Sequence, residues 1–207
     1  MKGISEHVKF GVYNSYAAFG QNFIFLDNRF FREKPYSKKT YSYLGATQHK
    51  WILQKIKDHP LPTWLIGGSQ FFSPSYQTKE GQQINESFLS HYKNNFNQLI
   101  SDIKTLPVPI AFISGDTHYS EIMKIDKDTL GYTTYEFTSS PLHSYLFRTK
   151  EKNEFFPNPR RIDALREYNF LFIDSFIDNN GDWKISVKSI GPKQDNPFFS
   201  YQYIINK

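Results

Sequence analysis

Asp116 and His118 stand one residue apart at the end of an apolar run, in Ile110-Ala-Phe-Ile-Ser-Gly-Asp-Thr-His-Tyr-Ser-Glu-Ile122. The run reads as a buried strand. A strand that stops at Gly115 presents its next few residues at the carboxyl edge of its sheet, where α/β proteins commonly place ligands. If the chain stays extended, residues i and i+2 point the same way, so the carboxylate and the imidazole converge on one point. A hard carboxylate oxygen beside a borderline imidazole suits Zn, Mn or Fe, and such an ion polarises a phosphoryl oxygen and lowers the pKa of its bound water toward about 7. A plain structural reading stands beside this one, because an Asp after a Gly at a strand end commonly forms a turn through its own side chain. Residue type alone leaves both open.

Asp27 and Arg29 repeat the strand-end pattern, since Phe23-Ile-Phe-Leu26 feeds a carboxylate and a guanidinium to what can be the same sheet edge. Arg is the side chain best shaped to grip a phosphate bidentately. The competing reading is an internal Asp27–Arg29 pair that pins the loop. Arg160, Arg161 and Arg166 read as a solvated face, with a phosphate-facing cluster as the alternative. His49, His59 and His91 lie on or just after expected helices among Lys, Gln and Asn, and read as solvated surface residues. His7 falls in an N-terminal segment expected to be mobile.

Periodicity locates the elements that carry these groups. Aromatic and β-branched residues alternate in strands expected at Lys9–Tyr16 and Asn22–Asp27, around a turn at Ala17–Gly20. Trp51, Ile52, Leu53 and Ile56 fall at helical spacing in Ala46–Asp58, which Pro60 and Pro62 stop. Thr63–Ile66 reads as a short buried strand closed by Gly67-Gly-Ser-Gln70, and the polar stretch Ser73–Asn85 as a loop. Phe88, Leu89, Tyr92, Phe96, Leu99 and Ile103 predict one long helix over Glu86–Thr105, before a strand at Pro109–Ser114. Beyond Tyr119, strands are expected at Tyr132–Phe137, Phe170–Ile177, Trp183–Ile190 and Phe198–Ile205, with a hairpin turn at Asp178-Asn-Asn-Gly-Asp182. Leu146–Arg166 reads as a long basic loop with a short helix. Alternating strands and helices argue for an α/β (α+β) domain with helices packed on a sheet.

Composition narrows the function. A chain of 207 residues with 39% hydrophobic and 18% aromatic residues suffices for one packed domain spanning 1–207. The net charge of +5 is scattered, with no long basic run, so nucleic-acid binding is not indicated. No apolar stretch approaches the roughly 20 residues of a membrane helix, and the start does not read as a secretory signal, so the expected location is cytoplasmic as written. No cysteine is present, which leaves oxygen and imidazole as the metal donors.

Five segments in order carry a family resemblance: Leu26-Asp-Asn-Arg29, Leu44-Gly-Ala-Thr-Gln-His-Lys-Trp51, Trp64-Leu-Ile-Gly-Gly-Ser-Gln70, Phe112-Ile-Ser-Gly-Asp-Thr-His-Tyr119 with Glu121, and Tyr135-Glu-Phe-Thr-Ser-Ser140. Together they resemble the alkaline phosphatase D (PhoD-like) family of metallophosphoesterases. The resemblance implies two β-sheets packed face to face with helices outside, and a metal centre at the sheet edges that hydrolyses phosphomonoesters or phosphodiesters. Carried over, Asp116 and Asp27 are metal ligands, His118 is a ligand or lies close to the phosphate, and Arg29 orients the substrate. Tyr119, Ser139, Ser140 and His143 fall near the substrate. The implied cofactor is a divalent or trivalent ion, Ca, Fe, Mn or Zn, and the implied partner is a phosphoester.

The departures from that family are equally specific. Its longer first half supplies an aspartate-rich metal motif and a further asparagine, whereas upstream of Leu26 the one acid here is Glu6. Octahedral ions need about six donors each, more than Asp116, His118 and Asp27 provide. The sequence therefore resembles the C-terminal half of such an enzyme: a truncated phosphoester hydrolase or, alternatively, a non-catalytic fragment or a subunit acting only with a separate N-terminal half. Half a sandwich exposes strand edges and apolar faces, so a homo-oligomer or a bound partner is expected. The intact family is often exported, and a signal peptide would be lost with the missing half.

Overall fold

The computed structural model describes residues 11–35, 39, 41–74, 86–139, 142–143, 145–146, 155–193 and 195–207. Two strands open the described chain, β1 (Asn14–Ala18) and β2 (Gln21–Phe25), paired antiparallel with Ala18 opposite Gln21. The turn between them is shorter than expected. It is Phe19-Gly20 alone, and both residues hold positive φ, 54° and 73°, as the right-handed twist of a two-residue hairpin requires.

Helix α1 (Gly45–Asp58) comes next, then β3 (Thr63–Ile66). The single helix expected over Glu86–Thr105 is divided into α2 (Phe88–His91) and α3 (Lys93–Lys104). The break falls at Tyr92, with φ −128° and ψ 43°, whose hydroxyl donates to the Glu33 carbonyl and accepts from Arg32 Nε. After these come β4 (Ile110–Ser114), β5 (Ser120–Ile125), α4 (Lys127–Leu130) and β6 (Thr134–Thr138). The chain ends in β7 (Arg161–Leu165), β8 (Phe170–Ile177), β9 (Trp183–Ile190) and β10 (Ser200–Ile205). Strands β5 and β7 are additions to the expected set, and β7 corrects the reading of 161–165 as part of a loop. They pair antiparallel with each other, with a bulge between Ile122 and Met123.

The architecture is the expected mixed α/β one with two sheets. A seven-stranded sheet runs β1-β2-β3-β4-β6-β5-β7, and a three-stranded sheet runs β10-β9-β8. Strands β2, β3, β4 and β6 are parallel neighbours, so their carboxyl ends lie along one edge. The sheets meet face to face where Trp64 and Trp183 contact edge-on at 4.9 Å, both indole N–H groups donating to Gln21 Oε1 at 2.9 Å. Tyr203 packs on Tyr135 and Phe137 in the same layer. On the helix side Phe112 contacts Phe71 and Phe72, and Phe96 packs edge-on against Phe72 and Phe88. No helix among the described residues is long and apolar enough to cross a membrane.

Candidate functional site

The four parallel strand ends are tied to one another. Asn28, just past β2, is buried, and its amide oxygen, oriented to satisfy its neighbours, accepts from the Gly68 and Ser69 N–H groups at 3.1 and 3.2 Å and from the Tyr43 hydroxyl at 2.9 Å. That joins the β2 end to the β3 end. A Cβ built on Gly115 would stand 3.6 Å from both the Gly68 and the Ser139 carbonyl oxygens, so the ends of β3, β4 and β6 are in close approach. Ser139 N–H closes the set by donating to the Ser114 carbonyl at 2.9 Å.

At this edge the chain does not stay extended, which corrects the expected i, i+2 geometry. Asp116 has φ 70° and His118 φ 60°, so two residues of the Gly115–Tyr119 turn occupy the left-handed region. Asp and His visit that region more readily than most L-residues, yet it costs energy, and such strain gathers at ligand sites. Asp116 is exposed and His118 half-buried. His118 Nδ1 bonds to the Tyr145 carbonyl. A carbonyl can only accept, so Nδ1 carries a proton, and Nε2 is the ring nitrogen left outside this bond.

Asp27 is employed differently. Its carboxylate is buried and accepts three backbone N–H groups, from Val12 at 2.9 Å, Arg29 at 2.8 Å and Phe30 at 2.9 Å. Burial raises its pKa, but the three amides outweigh burial and hold it below the ordinary carboxylate range. Of the expected Asp27–Arg29 pair, the partner is the Arg29 amide rather than its guanidinium, and the Arg29 side chain is left exposed.

Tyr119 is buried behind the turn against Phe155 at 5.4 Å, and burial, then Glu121, push its phenol up. Ser139 Oγ accepts from Leu171 N–H, and His143 is exposed. Ser140 and His7 lie outside the described residues.

Two of the three arginines correct the expectation of a solvated or phosphate-facing cluster. Arg161 Nε donates to the buried Glu121 at 2.6 Å, and Arg166 is buried with its guanidinium 4.3 Å from the Phe155 ring centroid. His49 also departs from a solvated role, bridging α1 to α3 through Asp102 Oδ2 at 2.8 Å, and His91 is half-buried with Nδ1 2.7 Å from Ser90 Oγ. His59 is exposed as expected.

A buried polar network behind the edge went unseen in the sequence. Glu136 on β6 accepts from the Phe71 and Phe72 amides at 2.8 and 2.9 Å and from Ser114 Oγ at 2.7 Å. Gln70 Nε2 donates to Glu121 Oε2 at 2.7 Å and to Thr138 Oγ1 at 3.0 Å. Complete burial pushes the Glu136 carboxyl up to about 7 against the pull of those donors, with Glu121 adding to the rise. The available signal was an acid inside an apolar strand, in Tyr135-Glu-Phe137.

Among the described residues no group of three or more His, Asp or Glu side chains is arranged to hold a metal. Asp116 and His118 alone do not fit an octahedral ion, which needs about six donors. Grooves of about 410 and 310 Å³ lie in the helix layer, and Asp116 and His118 line neither.

A family profile described as PhoD-like phosphatase matches residues 7–189. A search of the curated proteins gives no match. Among solved structures, one described as "Structure of PhoD" superposes with a TM-score of 0.67 at 15% identity, covering 93% of this chain and 42% of that chain. At that identity the likeness is one of fold. The chain spans less than half the length of the PhoD chain it matches.

Proposed function

Because the chain belongs to the PhoD-like phosphatase family, we propose that it is a phosphoester hydrolase whose reacting centre is the Gly115–Tyr119 turn. The observation that carries this reading is the turn itself: two left-handed residues, an exposed carboxylate and an imidazole held through Nδ1, at the carboxyl edge of four parallel strands. Water attacks phosphorus and the ester P–O bond breaks. His118 takes a proton at Nε2 from the attacking water as the new P–O bond forms and gives it to the departing alkoxide, which leaves as the alcohol while the phosphate product stays anionic. Arg29, exposed one residue past Asn28, pairs with a non-bridging phosphoryl oxygen.

Metal dependence belongs to the same proposal. Asp116 would contribute one donor to a Ca, Fe, Mn or Zn ion, which would polarise a phosphoryl oxygen, while Nε2 of His118 stays free for proton transfer; the described residues supply too few donors for a complete shell. A second reading rests on that shortfall together with the 42% coverage: the chain acts only with a complementary half.

The test is hydrolysis of bis(p-nitrophenyl) phosphate and bound-metal content, for the purified chain and for Asp116→Asn. The first reading expects turnover and a loss of about 100-fold or more on substitution. Turnover that survives the substitution overturns the role of Asp116. No metal and no turnover overturns the lone enzyme and leaves the second reading.

A further inference from the structure

Beside His118 stands a side chain that neither the fold nor the proposed chemistry requires. Tyr145 accepts the His118 Nδ1–H through its backbone carbonyl, which fixes residue 145 against the strand-end turn. Its ring meets the imidazole edge-to-face, centroids 6.2 Å apart, and is 67% exposed. Leu142, on the same segment, is 64% exposed. A large aromatic side chain held to a half-buried histidine and left open to water presents an apolar face to whatever occupies the turn.

We propose that Tyr145 forms a subsite for the organic group of the phosphoester, so that the preferred substrates carry an aromatic group. This rests on the hydrolase reading above, because it is the phosphoryl group at Asp116 and His118 that directs the rest of the ester outward. An ester anchored at the turn sends its organic group toward solvent, and the Tyr145 ring lies next to His118 on that path. An aromatic moiety there makes an offset or edge-to-face contact and removes part of the exposed ring from water, whereas a small polyol gains neither. The hydrogen bond to His118 uses the backbone carbonyl, so a change of the Tyr145 side chain separates the subsite from the orientation of the imidazole.

The experiment is calorimetric binding of phenylphosphonate and methylphosphonate to the full chain, to Tyr145→Ala and to Tyr145→Phe. The expected result is tighter binding of phenylphosphonate to the wild type, a loss of about three- to tenfold in Tyr145→Ala, retention in Tyr145→Phe, and no change for methylphosphonate. Equal effects on both phosphonates, no preference for phenyl, or no binding of either overturns the subsite. Turnover of bis(p-nitrophenyl) phosphate, measured in parallel, separates the two claims. Binding preference without turnover removes the hydrolase reading and keeps an aromatic phosphonate site, while turnover without the preference removes the subsite alone.

Discussion

Asp116 and Asp27 show how one residue type at two strand ends serves two purposes. The Asp27 carboxylate accepts three amide protons inside the protein, whereas Asp116 is exposed on a left-handed backbone. Asp27→Ala strands those amides in a buried place, and the expected outcome is a loss of about 2–3 kcal/mol in denaturant unfolding. The wild-type contribution of Asp27 has a defined pH window. Its folded pKa is lowered, so the stabilisation is present above the ordinary 3.8 and is lost as pH falls through the folded value. An acid titration of stability therefore shows a shallower decline for Asp27→Ala than for the wild type. Asp116→Asn should leave the unfolding free energy within about 0.5 kcal/mol, because the side chain is exposed and Asn tolerates positive φ. Both aspartates were legible as strand-end acids in the sequence. Their division of labour was not, since it depends on Val12 crossing fifteen residues to reach Asp27.

Among the elements, those with clean periodicity were legible: α1, β3, β4, β8 and β9 lie within a residue of where the pattern places them. Strand β5 was not, because Ser-Glu-Ile-Met-Lys-Ile has a charged residue where a buried strand ordinarily has none. Glu121 is tolerated there through Gln70, Asn158 and Arg161, all distant in sequence. Strand β7 is the same case seen from the other side, since Arg161 looks like solvent-facing charge until its ion pair with Glu121 is in place.

Glu136 on β6 carries a prediction of its own. Its pKa is raised to about 7 from 4.5, so between those values the folded state keeps a proton that the unfolded state releases. Stability from this group is highest below about 4.5, falls as pH rises toward 7, and is level above it. In melting curves, the advantage of wild type over Glu136→Gln should shrink across that window. A difference that stays constant with pH would show that Glu136 does not titrate there.

At the scale of the molecule, the three-stranded sheet carries a row of exposed aromatic side chains. Phe170, Phe172 and Phe176 alternate along β8 and are 40%, 52% and 51% exposed. Ser139 Oγ and Gln21 Nε2 already take the Leu171 amide and the Ser175 carbonyl, so the free backbone edge of β8 is partly capped and its aromatic face is what remains open. Contiguous exposed aromatics favour association. We expect the weight-average mass in sedimentation velocity to rise with concentration, and Phe172→Ser combined with Phe176→Ser to suppress that rise. A monomer at all concentrations would remove the expectation of an oligomer.

Local pattern and contiguous motif were enough to establish the family, the alternation of strands and helices, and the turn at which Asp116 and His118 emerge, because each of these is written in neighbouring residues. Long-range contacts settled the rest: that this turn folds back into left-handed backbone, that Asp27 faces inward, and that Glu121 and Glu136 can be buried at all. Those outcomes depend on donors brought from other strands and loops, and the free energy of a buried carboxylate is set by its neighbours in space.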